Sequence, residues 1–257
     1  MHQLKLDGFR CTLHSEGPRV KLFTRHQNDC TSHFPEFTAV HINATSAILD
    51  GEMIAFGADG KPDFELVMSQ FQSSRLKNLQ SVHFAAFDVL MINGKSVMHL
   101  PLERRLELLH GLVSGSDQLS VVQPHDDGEA LYESVKAAGL EGIVSKRRNS
   151  RYVQDHRSRD WIKLKNYQFE EVAISGIRKN EFGWALQFDD GRYAVICEFA
   201  PPEARAVFRQ ISKLLVQSEN QNWLFLDPLI RCRVKYQCLT HSGLLRSPSF
   251  VEFILAS

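Results

Sequence analysis

The sequence predicts an α+β protein of two domains, with the boundary between residues 167 and 168. The first part mixes apolar segments of strand period with three amphipathic segments of helical period, so we expect sheets covered by helices. The last part, roughly 90 residues, orders its segments as strand-strand-strand-helix-strand-strand, which is typical of the small OB-fold barrel. With 257 residues, 43% of them hydrophobic, the chain can bury a core in each domain.

Composition excludes several classes of protein. Lysine plus arginine equals aspartate plus glutamate at 30 each, so any anion binding must come from local clusters. The five cysteines form no C-x-x-C pair, which argues against a zinc ribbon and a disulfide framework and favours a reducing cytoplasm. Because no apolar run approaches about 18 residues, we predict a cytoplasmic protein without a membrane segment.

The first chemical signal is the stretch Lys5-Leu6-Asp7-Gly8-Phe9-Arg10. A lysine becomes a nucleophile when desolvation or a neighbouring cation lowers its pKa from the ordinary value of about 10.4. Asp7-Gly8 supplies a tight turn, and Arg10 returns a fixed cation that suits a phosphate. A surface strand that ends in a turn would show the same pattern, so this stretch alone leaves both interpretations open.

The next segments predict strands and one loop. Leu4, Leu6 and residues 12–23 are of strand type, with a turn at Gly17-Pro18. Residues 24–29 are polar, which fits either a loop with a binding arginine, Arg25, or a solvated loop. Residues 47–56 form an apolar strand pattern that includes Glu52, a carboxylate that is costly to bury unless it is paired.

Helical periodicity and turn residues divide the middle of the chain. Apolar spacing predicts helices from Pro62 to Phe71, from Pro101 to Leu112, and over 129–138, where Gly139 follows the last turn. The continuous apolar run 82–90 predicts a strand buried on both faces. Phe87 in this run is suited to stacking on a planar ligand, although an ordinary core phenylalanine would fit the same position.

The most charge-biased part of the chain begins after Glu141-Gly142-Ile143-Val144-Ser145-Lys146. Residues 146–165 contain eight cations and two acids, which in a neutral protein indicates a polyanion-binding region. Alternation in 161–165 places Lys163 and Lys165 on one face of a strand. Two like charges side by side on a strand are destabilising unless an anion neutralises them, so we expect a phosphate there.

The second domain carries a further cationic segment. Strands are predicted at 172–177, 184–188, 193–199, 229–239 and 250–255, with a helix from Pro201-Pro202 to about Val216. Between Pro228 and Val251 the chain has no acid but contains Arg231, Arg233, Lys235 and Arg246.

Together, the ordered motifs K-x-D-G-x-R, T-R, L-D-G-E, F-D, E-G-I-V-x-K and W-x-K-x-K, followed by the predicted OB-fold, resemble the ATP-dependent DNA ligases among the covalent nucleotidyltransferases. The resemblance covers nearly the whole chain and is strongest to small bacterial ligases and to the ligase modules of bacterial end-joining proteins. It implies a nucleotidyltransferase (adenylation) domain of antiparallel sheets with helices over 1–167 and an OB-fold over 168–257. It also implies an enzyme that seals 5′-phosphate/3′-hydroxyl nicks in duplex DNA through lysyl-AMP and a DNA-adenylate.

The resemblance further implies roles for individual residues. Lys5 would form lysyl-AMP, and ATP or AMP would contact Arg10, Arg25, Glu52, Phe87, Lys163 and Lys165. Glu141 and Glu52 would hold Mg²⁺ or Mn²⁺. The DNA contacts would come from Arg25, Lys146, Arg147, Arg148, Arg151, Arg157, Arg231, Arg233 and Arg246. The expected partners are nicked duplex DNA and a Ku-like end-binding protein or repair polymerase, and the expected state is a monomer.

Three positions depart from the usual family pattern. Only Met1–Leu4 precede the lysine, where a longer leading segment is usual, so we expect a nucleotide pocket that is less enclosed on that side. Gln3 stands where a glutamate is common, and Asp155-His156 stand where a glycine is usual. Two alternatives remain open: an RNA ligase or GTP-using capping enzyme of the same chemistry, and a degenerate, non-catalytic module that binds nicks.

Overall fold

The computed structural model describes residues 1–73, 82–154, 156 and 158–254. The chain divides into two compact units, Met1–Asn166 and Tyr167–Ser257. Arg157, one of the predicted DNA contacts, lies outside the described residues.

The first unit contains nine strands and three α-helices within its described residues. The strands are β1 (His2–Lys5), β2 (Phe9–Glu16), β3 (Arg19–Thr24), β4 (Ser46–Ala55), β5 (Val82–Ile92), β6 (Lys95–Ser96), β7 (Leu119–Val121), β8 (Gly142–Lys146) and β9 (Trp161–Lys165). The helices are α1 (Phe64–Gln72), α2 (Leu102–Leu112) and α3 (Gly128–Ala138). Two short 3-10 helices, Thr31–His33 and Pro35–Ala39, follow β3 and were not predicted.

Two sheets organise this unit. The larger one has the order β3-β2-β4-β5-β6 with β7 beside β5, and the smaller one has the order β1-β8-β9. All paired strands are antiparallel except β5 and β7, which are parallel. Antiparallel sheets with helices agree with the predicted class of the first domain.

Register in the smaller sheet brings the chemical motifs together. Lys5 pairs with Gly142, which in turn pairs with Lys165, and Gln3 pairs with Val144, which pairs with Lys163. Because alternate side chains of a strand share one face, Gln3, Lys5, Lys163 and Lys165 project from the same side of this sheet. Residues 160 positions apart in sequence therefore share a surface through strand pairing alone.

Two motif glycines are required by close backbone packing. A Cβ on Gly8 would lie 2.1 Å from the carbonyl oxygen of Met53, so this position in the turn after β1 accepts only glycine. A Cβ on Gly142 would lie 2.1 Å from the carbonyl oxygen of Leu164, and its φ of +149° also disfavours a side chain. These glycines let the strands carrying Lys5 and Glu141 approach their neighbours closely.

The helix ends follow local capping chemistry. Helix α1 begins after Asp63, whose carboxylate accepts a hydrogen bond from Leu66 N, so it begins two residues after the predicted Pro62. Helix α3 begins after Asp127 and ends at Gly139 in the left-handed conformation, as its sequence predicts.

The second unit forms a branched seven-stranded sheet. Its strands are β10 (Gln168–Arg178), β11 (Trp184–Gln187), β12 (Tyr193–Cys197), β13 (Val216–Glu219), β14 (Trp223–Leu226), β15 (Arg231–Tyr236) and β16 (Ser249–Ile254). The long β10 pairs with β11, and its two halves pair with β15 and β14. Its own core includes Val172, Trp184, Phe208 and Val234.

The predicted helix of this unit is shorter than expected. Helix α4 (Pro202–Ile211) gives way to a 3-10 turn, Ser212–Leu215, and then to the hairpin of β13 and β14. The sequence analysis missed this hairpin because β13 is four residues long and largely polar.

Within the described residues, none of the helices is both long enough and apolar enough to cross a membrane.

Candidate functional site

An open cleft with a cavity volume of about 170 Å³ lies within the first unit, against the face of the smaller sheet that carries Lys5. Its lining combines cations, apolar side chains, two aromatic rings and one carboxylate. The residues are Gln3, Leu4, Lys5, Leu6, Arg10, Arg25, Glu52, Phe87, Val122, Val144, Lys146, Trp161 and Lys163. This mixed lining suits a ligand that combines an apolar ring system with charged groups.

At one end of the cleft, Lys5 forms a buried ion pair with Glu141. Lys5 Nζ lies 2.5 Å from Glu141 Oε2, and Lys165 Nζ lies 3.7 Å from the other oxygen, Oε1. Only 7% of the Glu141 side chain and 17% of the Lys5 side chain are exposed. The lysine therefore occupies one fixed position, held by a carboxylate that directly precedes the neighbouring strand β8.

Lys163 adds a second cation beside Lys5. Burial and the nearby positive charge of Lys5 lower the pKa of Lys163. Its ammonium makes no hydrogen bond to the protein among the described residues. This cation is therefore available to an anionic ligand in the cleft.

Glu52 faces these lysines from β4. Burial raises its pKa to about 7, although the charges of Lys5 and Lys163 act in the opposite direction. Glu141 raises the pKa further through like-charge repulsion. Within the described residues the Glu52 carboxylate makes no hydrogen bond, so its oxygens are available to a ligand.

We expect Glu52→Gln to stabilise the fold at pH 8 in metal-free buffer by about 3 kcal/mol. The unfolded carboxyl ionises near pH 4.5 and the folded one near 7, so the folded state loses stability as pH rises through this window. The gain from glutamine should accordingly be small at pH 4.5 and reach its full value above pH 7. Urea unfolding at both pH values measures it.

The exposed Glu16→Gln provides the matched control for this measurement and should change stability little at either pH. Equal effects of Glu52→Gln at pH 4.5 and pH 8 would contradict a raised pKa for Glu52.

Arg10 is fixed by a carboxylate that the sequence analysis did not single out. Its Nε and Nη2 donate to Asp50 at 2.9 and 2.5 Å, and Nη2 also donates to the Tyr152 hydroxyl at 2.8 Å. Tyr152 in turn donates to Asp50 at 2.8 Å. Much of the hydrogen-bonding capacity of Arg10 is thus used within the protein, which leaves part of the guanidinium facing the cleft.

Two aromatic rings and a buried lysine form the other end of the cleft. The rings of Phe87 and Trp161 lie edge to face with centroids 6.0 Å apart. Lys146 Nζ lies 4.6 Å from the Phe87 centroid and 3.9 Å from the Trp161 centroid. Lys146 is 5% exposed and lines the cleft, because β8 directs it inward beside these rings. The structure therefore offers little of its surface for the predicted DNA contact.

Gln3 is a cleft residue that the sequence analysis noted only as a departure from the family pattern. It is 1% exposed, and its Nε2 donates to the carbonyl of Val122 at 2.6 Å. Its Oε1 is buried and accepts no hydrogen bond from the described residues. Because the Val122 bond fixes the amide orientation, this end of the cleft presents one free acceptor.

The predicted cationic segment 146–165 is not a single surface. Lys163 lines the cleft and Lys165 faces Glu141, whereas Arg147 and Arg148 are exposed and form ion pairs. The acids are Asp160 for Arg147, and Glu103 and Asp126 for Arg148. Arg151 and Arg25 are exposed, and Arg25 also borders the cleft.

In the second unit, two acids offset the predicted cationic segment: Asp189 in the turn between β11 and β12, and Glu252 on β16. Arg231 Nη1 lies 2.7 Å from Asp189, and Arg233 Nη1 lies 3.8 Å from Glu252. The sequence analysis counted charges along the chain and so missed these acids across the sheet. Arg246 contacts Cys238 through its guanidinium, with Nη1 3.8 Å from Sγ.

Known proteins with related sequences and folds point to one family. A family model described as "ATP dependent DNA ligase domain" matches residues 1–165. The SPbeta prophage-derived DNA ligase-like protein LigB of Bacillus subtilis is 36% identical over 249 residues, which cover 96% of this chain and 90% of that protein. The multifunctional non-homologous end joining protein LigD of Mycolicibacterium smegmatis is 27% identical, and the match covers 96% of this chain but 35% of that protein.

Solved structures with the same fold include the ligase domain of Mycobacterium tuberculosis LigD, with a TM-score of 0.59 and 24% identity over 98% of this chain and 88% of that one. A Lig E DNA ligase structure, studied for DNA binding with a minimal scaffold, has a TM-score of 0.67 and 20% identity over 98% and 91% of the two chains.

Proposed function

Because the chain belongs to the ATP-dependent DNA ligase family, we propose that it seals nicks in duplex DNA and that Lys5 carries AMP during the reaction. The observation that carries this proposal is the position of Lys5 at the cationic end of the cleft, with Glu141 at 2.5 Å and Lys163 on the same sheet face. An aromatic and apolar region for a base lies at the other end of the same cleft.

Adenine recognition is supported by Gln3 and Phe87. The free Oε1 of Gln3 can accept a hydrogen bond from the exocyclic amino group of adenine, whereas guanine presents an oxygen at that position and would leave two acceptors facing each other. The Phe87 ring is placed to stack on the base. This pair favours ATP over GTP and thereby disfavours a capping enzyme.

In the first step, Lys5 Nζ attacks the α-phosphorus of ATP, so an N–P bond forms, the bond to the β-phosphate oxygen breaks, and pyrophosphate leaves. Lys5 must first lose a proton, and the Glu141 carboxylate 2.5 Å away can receive it. Lys163 and Lys165 would stabilise the negative charge on the phosphate as it develops. Arg10 and Arg25 would contact the nucleotide from the side of the larger sheet.

The donor set also fits a divalent cation. Mg²⁺ usually binds one or two carboxylates together with waters and substrate phosphates, and Glu52 and Glu141 offer two carboxylates beside the proposed phosphate site. No group of three or more His, Cys, Asp or Glu side chains arranged to hold a metal occurs in the described part of the chain, which agrees with a site completed by phosphate and water. Bound there, Mg²⁺ or Mn²⁺ would neutralise charge on the phosphates.

In the later steps, AMP passes from Lys5 to a 5′-phosphate at the nick. The adjacent 3′-hydroxyl then attacks that phosphate and releases AMP. We propose that Arg25, Arg147, Arg148 and Arg151 contribute phosphate contacts, since all four are exposed on the first unit. We propose further phosphate contacts from Arg231, Arg233 and Arg246 on the second unit, where Asp189 and Glu252 pair with the first two in the absence of DNA.

We also propose that the second unit is an OB-fold. The strand path β12-β11-β10-β15-β16 and the helix that follows β12 in the chain support this assignment. A parallel bridge between Phe199, just after β12, and Ser249 of β16 connects the two ends of that path. The hairpin of β13 and β14 would then be an insertion into the barrel.

Nicked duplex DNA is the proposed substrate, and we propose that the chain acts as a monomer. Recruitment by a Ku-like end-binding protein or a repair polymerase stays a prediction from the family resemblance.

The test of this function is the sealing of a nicked duplex with ATP and Mg²⁺, using a nick strand that ends in either a deoxyribose or a ribose 3′-hydroxyl. We expect sealing with the deoxyribose end and no reaction when GTP replaces ATP. Sealing confined to the ribose end would favour an RNA ligase. Binding of nicked DNA without any protein–AMP adduct would favour the non-catalytic module.

A further inference from the structure

Lys146 is a buried ammonium whose closest groups are aromatic rings. Its Nζ lies 3.9 Å from the Trp161 centroid and 4.6 Å from the Phe87 centroid, and it donates to the Phe87 carbonyl at 3.4 Å. No carboxylate within the described residues forms a salt bridge with it. Burial accordingly lowers the pKa of Lys146 to about 8, which reflects the cost of placing a charge there.

Charge compensation does not explain this lysine. Two buried acids face it, Asp50 from β4 and Asp88 from β5, and each already has its own guanidinium. Arg10 from β2 holds Asp50 through two bonds, and Arg105 from α2 holds Asp88 through two bonds of 2.7 and 2.8 Å. The positive charge of Lys146 is therefore in excess of what these acids need.

The two rings are the part of the molecule that this charge contacts. A cation–π contact is directional and strongest when it is desolvated, so a single buried ammonium can fix the mutual position of two rings. Lys146 also holds Phe87 through the hydrogen bond to its backbone carbonyl. Trp161 makes further edge-to-face contacts with Phe87 and Tyr152. Lys146, Phe87 and Trp161 all line the end of the cleft where we propose that adenine binds.

We propose that Lys146 is a positioning residue for the adenosine part of ATP: its ammonium holds the Phe87 and Trp161 rings in the geometry that receives the base. This inference rests on the proposed function. It separates binding of the base from binding of the phosphates, because the rings lie away from the Lys5–Glu141 end, where the phosphates are proposed to bind. Lys146 should affect affinity for the base and leave affinity for the phosphates unchanged.

The test compares Lys146→Met, which removes the charge and keeps the length of the stem, with Lys146→Arg, which keeps a cation. In the adenylation reaction we expect Lys146→Met to raise KM for ATP about tenfold while the rate at saturating ATP stays within about twofold. Lys146→Arg should restore most of the affinity. Lys95→Met, an exposed lysine on β6, is the matched control and should change neither value.

Inorganic tripolyphosphate lacks the base, so its binding separates the positioning role from a general structural role. A general structural role of Lys146 would weaken the binding of both ATP and tripolyphosphate. The inhibition constant of tripolyphosphate against ATP should be the same in the parent protein and in Lys146→Met. An unchanged KM for ATP, or an equal loss of ATP and tripolyphosphate binding, would overturn the proposal. If Lys146→Met does not fold, Lys146→Gln replaces it, and the same two values, KM for ATP and the inhibition constant of tripolyphosphate, test the proposal.

Failure of the proposed function gives a different result. If the parent protein forms no protein–AMP adduct, calorimetry still measures the affinities for ATP and for tripolyphosphate in the parent protein and in Lys146→Met. Selective loss of ATP binding in Lys146→Met would then support the positioning role. An equal effect on both ligands, or on neither, would reject it.

Discussion

We expect Lys5→Ala to lower formation of the protein–AMP adduct from labelled ATP and Mg²⁺ at least about a thousandfold relative to the parent chain. The reason is that no other amine in the cleft matches the position of Lys5, which a carboxylate 2.5 Å away holds in place. The measurement is the label retained on denatured protein after gel separation. Lys95→Ala, which alters an exposed lysine on β6, should label like the parent.

A second measurement separates loss of the nucleophile from loss of the fold. A nick that already carries AMP on its 5′-phosphate needs only the final step, in which the 3′-hydroxyl attacks and AMP leaves. Since that step forms no bond to Lys5, Lys5→Ala should retain a substantial part of the parent rate on this substrate. An adduct that persists in Lys5→Ala would move the nucleophile elsewhere, with Lys163 as the first candidate.

The parts of the site that were predictable from sequence are those in which neighbouring residues constrain one another. The turn after Lys5 needs a glycine because the Met53 carbonyl lies against it, and the residue after Glu141 needs one because the Leu164 carbonyl lies against it. Alternation in β9 predicted that Lys163 and Lys165 share one face, and strand pairing adds Lys5 to that face. Local periodicity and turn chemistry carry this information within a few residues.

The parts that were not predictable depend on contacts between distant strands. Lys146 ends the E-G-I-V-x-K motif and was grouped with Arg147 and Arg148 as a DNA contact, yet it is buried beside rings from β5 and β9 while the two arginines are exposed. Asp50 gave no local signal because its partners, Arg10 and Tyr152, are 40 and 102 residues away. Counting charge along the chain therefore overstated the size of the exposed cationic surface.

Arg105 shows the same difficulty in a buried residue of the first unit. The sequence places it in an amphipathic helix among leucines, where an arginine would ordinarily be solvated. In the structure it is fully buried and binds Asp88 through two bonds, with further bonds to the carbonyls of Leu100 and Ser150 at 2.6 and 3.0 Å. Burial raises the pKa of Asp88 even with this partner present, so burying the ion pair carries a desolvation cost.

Arg105→Met should therefore lower the free energy of unfolding by about 3–5 kcal/mol, because it leaves Asp88 buried without its cation and leaves two carbonyls without a donor. Denaturant unfolding measures this loss. The adjacent Arg104→Met is the matched control: Arg104 is exposed and pairs with Glu107 on the helix surface, so its loss should cost no more than about 0.5 kcal/mol.

The double variant Asp88→Leu/Arg105→Met identifies the origin of the loss. If an uncompensated charge dominates, removing both charged groups should recover a large part of the stability, since apolar replacements of buried ion pairs are often close to neutral. If the carbonyl bonds of Arg105 dominate, the double variant should remain as unstable as Arg105→Met. Asp88 directly follows Phe87 on β5, so recovery of stability without recovery of ATP affinity would show that this ion pair also fixes the Phe87 ring at the end of the cleft where we propose that adenine binds.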